Sequence, residues 1–152
     1  KRIIYIIAAA LLIAACADKA GTQQGGSDKQ PSLMEQVCGE WHSTEIPTAD
    51  TDIYISLTED GKFELYQKAG DGDYRLYRGT WNLDEASAKL TGKYNDGESW
   101  GSGYSVSINE DGTEMHLVPD IGSEEHKYIS GSIPEEVRTG CEVVVKSAEA
   151  GL

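Results

Sequence analysis

The chain has 152 residues, with 26 Asp and Glu against 13 Lys and Arg, for a formal charge of −13, and only three cysteines. Nucleic-acid binding relies on clustered Lys and Arg that displace counterions from phosphates, and no such cluster occurs after Arg2, so nucleic acid is excluded as a partner. The acidity promotes solubility, and its field would suit a polycation or a divalent metal partner.

The chain opens with Lys1-Arg2, an apolar run from Ile3 to Ile13, and then Ala14-Ala15-Cys16. A positive stretch, a short apolar stretch and small residues describe a secretory signal peptide. The run falls short of the roughly 20 apolar residues that a permanent span needs. Ile13-Ala14-Ala15-Cys16 resembles the bacterial lipobox. That resemblance implies cleavage before Cys16, a diacylglycerol on its thiol, and acylation of the new amino terminus with palmitate or a similar chain. The protein is then expected as an envelope lipoprotein, held on a membrane (the outer membrane favoured) and facing the periplasm or the cell surface. An ordinary signal peptide or an uncleaved helix is the alternative. Removing residues 1–15 takes away two positive charges and no negative ones, moving the formal charge from −13 to −15.

Residues 16–32 read as the lipidated cysteine and a flexible tether, being rich in Gly, Ser, Gln and charge without apolar periodicity. The folded domain is expected over 33–142, and 143–152 as a tail or an edge strand built on Val143-Val144-Val145. Ser32 followed by Glu35 forms a capping-box pattern for a short helix that can plug the base of a barrel. From Gly39 onward apolar residues recur with period two and turn signals come about every 8 to 12 residues, which predicts an all-β barrel or sandwich. Strands are expected near 39–45, 52–58, 62–68, 74–83, 88–94, 100–108, 113–119 and 125–132. Asp60-Gly61, Asp96-Gly97 and Asp111-Gly112 mark hairpins, because glycine tolerates the positive φ of tight turns.

Alternation turns Ile53, Ile55, Leu57, Phe63, Leu65, Trp81, Leu83, Tyr104, Val106, Ile108, Met115 and Leu117 inward, and sends Glu64, Lys68, Lys89, Thr91, Lys93 and Ser107 outward. Hairpin-to-hairpin connection closes most simply into a small eight-stranded antiparallel up-and-down barrel with short terminal helices, the second at Pro134-Glu135-Glu136-Val137-Arg138. Cys38 and Cys141 flank the domain. They either pair, closing a loop of roughly 100 residues in an oxidising compartment, or remain free thiols.

Gly39-Glu40-Trp41, Asp60-Gly61-Lys62-Phe63, Tyr77-Arg78-Gly79-Thr80-Trp81 and Ile133-Pro134, in that order, resemble the short lipocalin-like domains of Gram-negative lipoproteins, within the lipocalin and fatty-acid-binding superfamily. The resemblance covers roughly residues 38–138. It implies that Gly39 and Trp41 form the barrel-base motif, with the indole across the closed end, and that the barrel binds a small apolar or amphipathic ligand. A second lipocalin motif, Thr-Asp-Tyr, is missing, and Lys127 is the stand-in for the basic residue that stacks on the tryptophan.

Eight tyrosines and three tryptophans stand against one phenylalanine. Rings with a polar handle suit an amphipathic ligand, and Tyr66, Tyr77, Trp81, Tyr94 and Trp100 are the expected mouth residues. The competing reading is that Trp81, Tyr94 and Tyr104 fill the small barrel. His42 and His116 fall out of phase with Trp41 and Leu117, and all three histidines are expected at the surface. No zinc spacing, complete calcium loop or nucleophile elbow occurs, so no metal, no cofactor and no catalytic residue is expected. Two functions compete with ligand binding. One is a filled barrel that contacts another envelope protein. The other is a hydrolase inhibitor using loop 46–52 or 68–74.

Overall fold

The computed structural model describes residues 30–45, 50–122 and 124–145. The signal segment, Cys16, the tether before residue 30, residues 46–49, Ser123 and the tail from 146 lie outside the described residues. Eight strands run in chain order: β1 (Gly39–Glu45), β2 (Thr51–Leu57), β3 (Lys62–Ala69), β4 (Arg75–Asp84), β5 (Lys89–Tyr94), β6 (Tyr104–Ile108), β7 (Glu114–Pro119) and β8 (His126–Ser130). Each pairs antiparallel with the next, and β8 returns to β1 with Trp41 opposite Ser130, so the sheet closes as an up-and-down barrel. Closure pairs the strand edges that an open sheet would leave exposed.

The tight turns follow their glycines. Gly61 sits at φ 75° between Thr58 and Lys62, and a β-carbon there would lie 3.2 Å from the Trp81 carbonyl. Alternation fills the interior as the sequence predicts, with Ile53, Ile55, Leu57, Phe63, Leu65, Trp81, Leu83, Val106, Met115 and Leu117 all buried in one core. Ile108 lies half-buried at its margin.

The base is closed by a short helix, α1 (Leu33–Val37). Its capping box is complete: the Glu35 amide donates to Ser32 Oγ (3.2 Å) and the Ser32 amide donates to Glu35 Oε2 (2.7 Å). Val37 is fully buried, and Trp41 Nε1 donates to the Val37 carbonyl at 2.9 Å, tying helix, motif tryptophan and core together.

A second helix, α2 (Glu135–Thr139), forms where the sequence predicts one but does not cap the barrel. It packs on the outer face instead, where Ile133 and Val137 cover Tyr66 and Leu76 in a separate apolar cluster. Arg138 pins it there, pairing through Nη2 with Glu40 and lying 3.5 Å from Glu64 Oε2 through Nη1. Glu40 Oε2 also accepts from the Ile133 amide at 2.6 Å. A short ninth strand, β9 (Glu142–Val143), runs parallel to the start of β4, which β5 joins only from Gly79 onward.

Two further expectations are corrected. β6 begins at Tyr104 rather than at residue 100, because residues 95–103 fold back on β5. β8 stops at Ser130, where its amide bonds the Thr113 carbonyl and Gly131 turns back to the Glu40 carbonyl. Of the two alternatives for Cys38 and Cys141, the structure has the unpaired one: Cys38 packs against the barrel core, while Cys141 packs in the outer cluster and its thiol donates to the Arg138 carbonyl (3.2 Å).

Candidate functional site

An up-and-down barrel gathers alternate connections at opposite ends. At one end lie α1 and the β2–β3, β4–β5 and β6–β7 turns. At the other, the mouth, lie the β3–β4 and β5–β6 connections, the end of β1 and start of β2, and the end of β7 and start of β8. The least zipped contact in the wall reaches this mouth. Between β5 and β6 only Lys89–Ser105 and Leu90–Tyr104 are in register, whereas β2 and β3 match from Thr51–Ala69 through Leu57–Phe63. The free stretch of β5 is taken by the loop that follows it: the Tyr94 amide donates to the Glu98 carbonyl (2.8 Å) and the Trp100 amide to the Gly92 carbonyl (2.9 Å).

That loop drives Trp100 into the barrel, where it is only 5 % exposed. Its ring lies against the bare backbone of Gly92, where a β-carbon would come within 2.2 Å of the indole. Phe63 and Tyr104 meet Trp100 edge-on at 5.2 and 6.3 Å, Phe63 meets Tyr94 at 5.6 Å, Tyr94 meets Tyr77 at 6.2 Å, and Tyr104 meets the His126 ring at 5.7 Å. Such edge contacts each add about 0.5–1.5 kcal/mol beyond area burial.

The electrostatics of this cluster are unusual for a packed core. Among the described residues, Trp100 Nε1, His126 Nδ1 and the Tyr128 hydroxyl are buried with no protein hydrogen-bond partner. An unmet buried polar group costs about 1–3 kcal/mol. Burial pushes the Tyr104 and Tyr128 hydroxyls above their ordinary range, so both stay protonated. Burial also holds His126 below the usual imidazole range, against a smaller upward pull from Glu124, favouring a neutral ring that can donate or accept. Above them a depression of about 460 Å³ opens to solvent, lined by Ser102, Tyr104, Pro119, Ile121, Glu124 and His126 among others.

The five expected mouth residues do not converge. Tyr77, Tyr94 and Trp100 are buried in the aromatic cluster. Trp81 points toward the base, its Nε1 donating to the Thr58 carbonyl (3.1 Å). Tyr66 is on the outer face under α2, donating to Glu64 (2.8 Å), with its hydroxyl pushed up to about 12 by burial and by Glu64. His126 is corrected from the surface to a half-buried position, in phase with the buried Tyr128 and at the edge of the depression. His42 and His116 do face outward: His42 lies 2.6 Å from Asp52 and stacks on Tyr54 at 4.1 Å, and His116 lies 2.7 Å from Glu125. Lys127 pairs with Glu45 (2.8 Å) on the outer face and does not stack on Trp41. The residues missed at the mouth are His126 and Tyr128, and their signal was the shared phase on β8.

The closed eight-strand wall, the helix-plugged base and the inward tryptophan after Gly39 define a lipocalin-type barrel. Residues 24–116 match the lipocalin-like domain family, and the chain belongs to it. This is in general a binding fold rather than a catalytic one. A solved structure of a protein from Bacteroides uniformis, determined by NMR, superposes with a TM-score of 0.54 at 13 % identity, covering 67 % of this chain and 94 % of that one, a likeness of fold. No curated protein matches the chain.

Proposed function

We propose that this protein is an envelope lipoprotein, anchored through Cys16, whose barrel takes up a small amphipathic molecule at the mouth between the β5–β6 and β7–β8 connections. One observation carries the ligand reading: three buried polar atoms without protein partners, on Trp100, His126 and Tyr128, grouped around Tyr104 beneath an open depression. A ligand with an apolar body and one or two oxygen or nitrogen functions would meet these groups and cover the rings. The family's binding fold supports the same reading. The acidic chain and the neutral histidine favour an uncharged or cationic ligand over an anion.

The test is native mass spectrometry of the gently purified protein, with the denatured mass as control. A reproducible extra mass that is lost on denaturation, and reduced in Tyr128→Phe, is the expected result. A clean mass before and after incubation with envelope lipids and cell extract would contradict ligand uptake. It would favour the second reading, a filled barrel that contacts another envelope protein, which the tightly packed interior and the exposed Val143 and Val145 beside β9 support.

A further inference from the structure

Trp100 occupies the middle of the barrel, yet no strand of the barrel carries it. It comes from the 95–103 connection, held on β5 by the Lys93–Ser99 bridge and by the Tyr94–Glu98, Gly97–Tyr94 and Trp100–Gly92 backbone bonds, and tied at its ends to the Arg78 carbonyl and, through Ser102 and Gly103, to the Asp120 amide. Its indole rests on Gly92, is walled edge-on by Phe63 and Tyr104, and leaves Nε1 unbonded. It also borders a second solvent-open depression, of about 350 Å³, which reaches the outer face of the β4–β5 wall and is lined by the exposed Thr80, Asn82, Thr91 and Lys93 as well as by Trp81 and Trp100. The ring is therefore a large side chain set in a flat slot, beside the least zipped strand pair and bordering a solvent-open depression, whose departure costs no indole hydrogen bond but breaks the Trp100 amide bond to Gly92.

We propose that Trp100 is a displaceable plug, and that the slot it fills is the binding site for a planar aromatic ligand of about the size of an indole ring. This rests on the ligand-binding reading above and names its ligand class. The slot's shape carries the class. Its floor has no β-carbon, so a flat group lies flush on Gly92, and its walls are the rings of Phe63 and Tyr104, set at 71° and 69° to the indole, a T-shaped arrangement that another planar aromatic ring can take up. The incoming ring takes the place of the indole, and loop 95–103 swings outward through the β5–β6 seam. Because the plug competes with the ligand, the apparent affinity of the wild type is lowered by the fraction of time the slot is self-occupied.

The test uses the protein labelled with 5-fluorotryptophan, whose three tryptophans, Trp41, Trp81 and Trp100, give separate ¹⁹F resonances, and free indole as probe. On titration the Trp100 resonance is expected to move toward the solvent-exposed position while Trp41 and Trp81 stay in place. Trp100→Ala, which empties the slot, is expected to bind indole about tenfold more tightly than wild type. The wild-type titration stands alone if that variant does not fold. Indole binding that perturbs His126 and leaves Trp100 unmoved would overturn the plug while leaving a mouth ligand intact. Absence of indole binding to both forms would overturn the ligand class, and the native mass measurement would then decide separately whether any ligand is carried.

Discussion

The two ends of the barrel are made from the same alternating strands and differ in how their polar groups are used. At the base, the Trp41 indole N–H is bonded to the Val37 carbonyl, α1 is capped on both sides by Ser32 and Glu35, and the Trp81 indole N–H is bonded to Thr58. At the mouth, a third tryptophan is equally buried but unbonded, together with a tyrosine and a histidine in the same condition, and the wall beside them is joined by two registered pairs. Among the described residues, the buried side-chain groups at the base have hydrogen-bond partners, and stability is expected to be concentrated there. The unsatisfied groups lie where solvent-open depressions reach the core, as expected when a site serves something other than the fold.

The sharpest way to break this comparison is to remove one tryptophan from each end. Trp41→Ala is expected to cost about 4 kcal/mol, since it leaves a large cavity and an unmet Val37 carbonyl. Trp100→Ala is expected to cost about 2 kcal/mol, because no hydrogen bond is lost and the site adjoins open space. Urea denaturation of the two variants gives the order, and equal losses would erase the distinction between the ends.

Ser32→Ala, which removes half of the capping box, should cost about 1 kcal/mol. Its effect should be confined to the base, read as lost amide protection in α1 with the mouth unchanged.

Acid should act at the other end. His126 titrates below its ordinary value of about 6.5 in the folded state, so the unfolded chain takes up the proton first. Its contribution is fully present above that pH and is lost as pH falls toward the lower folded value. Denaturation at pH 7.5 and pH 5 is expected to show wild type losing more stability than His126→Phe. A parallel loss in both would assign the acid sensitivity elsewhere.

The smallest effect is expected at Tyr128→Phe. Deleting a hydroxyl that has no partner should leave the ligand-free protein unchanged or stabilise it by up to about 1 kcal/mol, while weakening ligand uptake. A clear destabilisation would mean that the hydroxyl is satisfied within the fold.

Much of the base was legible in the sequence, because its signals are local: Ser32 and Glu35 are three residues apart, Trp41 opens a strand, and alternation alone orients Ile53 to Leu57. The mouth was less legible, because its geometry depends on contacts distant in sequence. Tyr66 has the outward phase of its strand, and nothing near it shows that Ile133 and Val137 will cover it. Trp100 reads as the start of a strand until its amide is seen to bond Gly92, which turns the ring inward. His126 shares the phase of Tyr128 on β8, which turns it toward the core although its residue type alone points to the surface.

Residue-resolved amide hydrogen exchange on the unliganded protein tests the central claim most directly. The amides of Tyr94 and Trp100, which tie the loop to β5, should exchange through openings far easier than global unfolding, while those of Trp41 and Ile55 at the base exchange only with it. Uniform protection at both ends would contradict a barrel that is sealed at its base and built to open at its mouth.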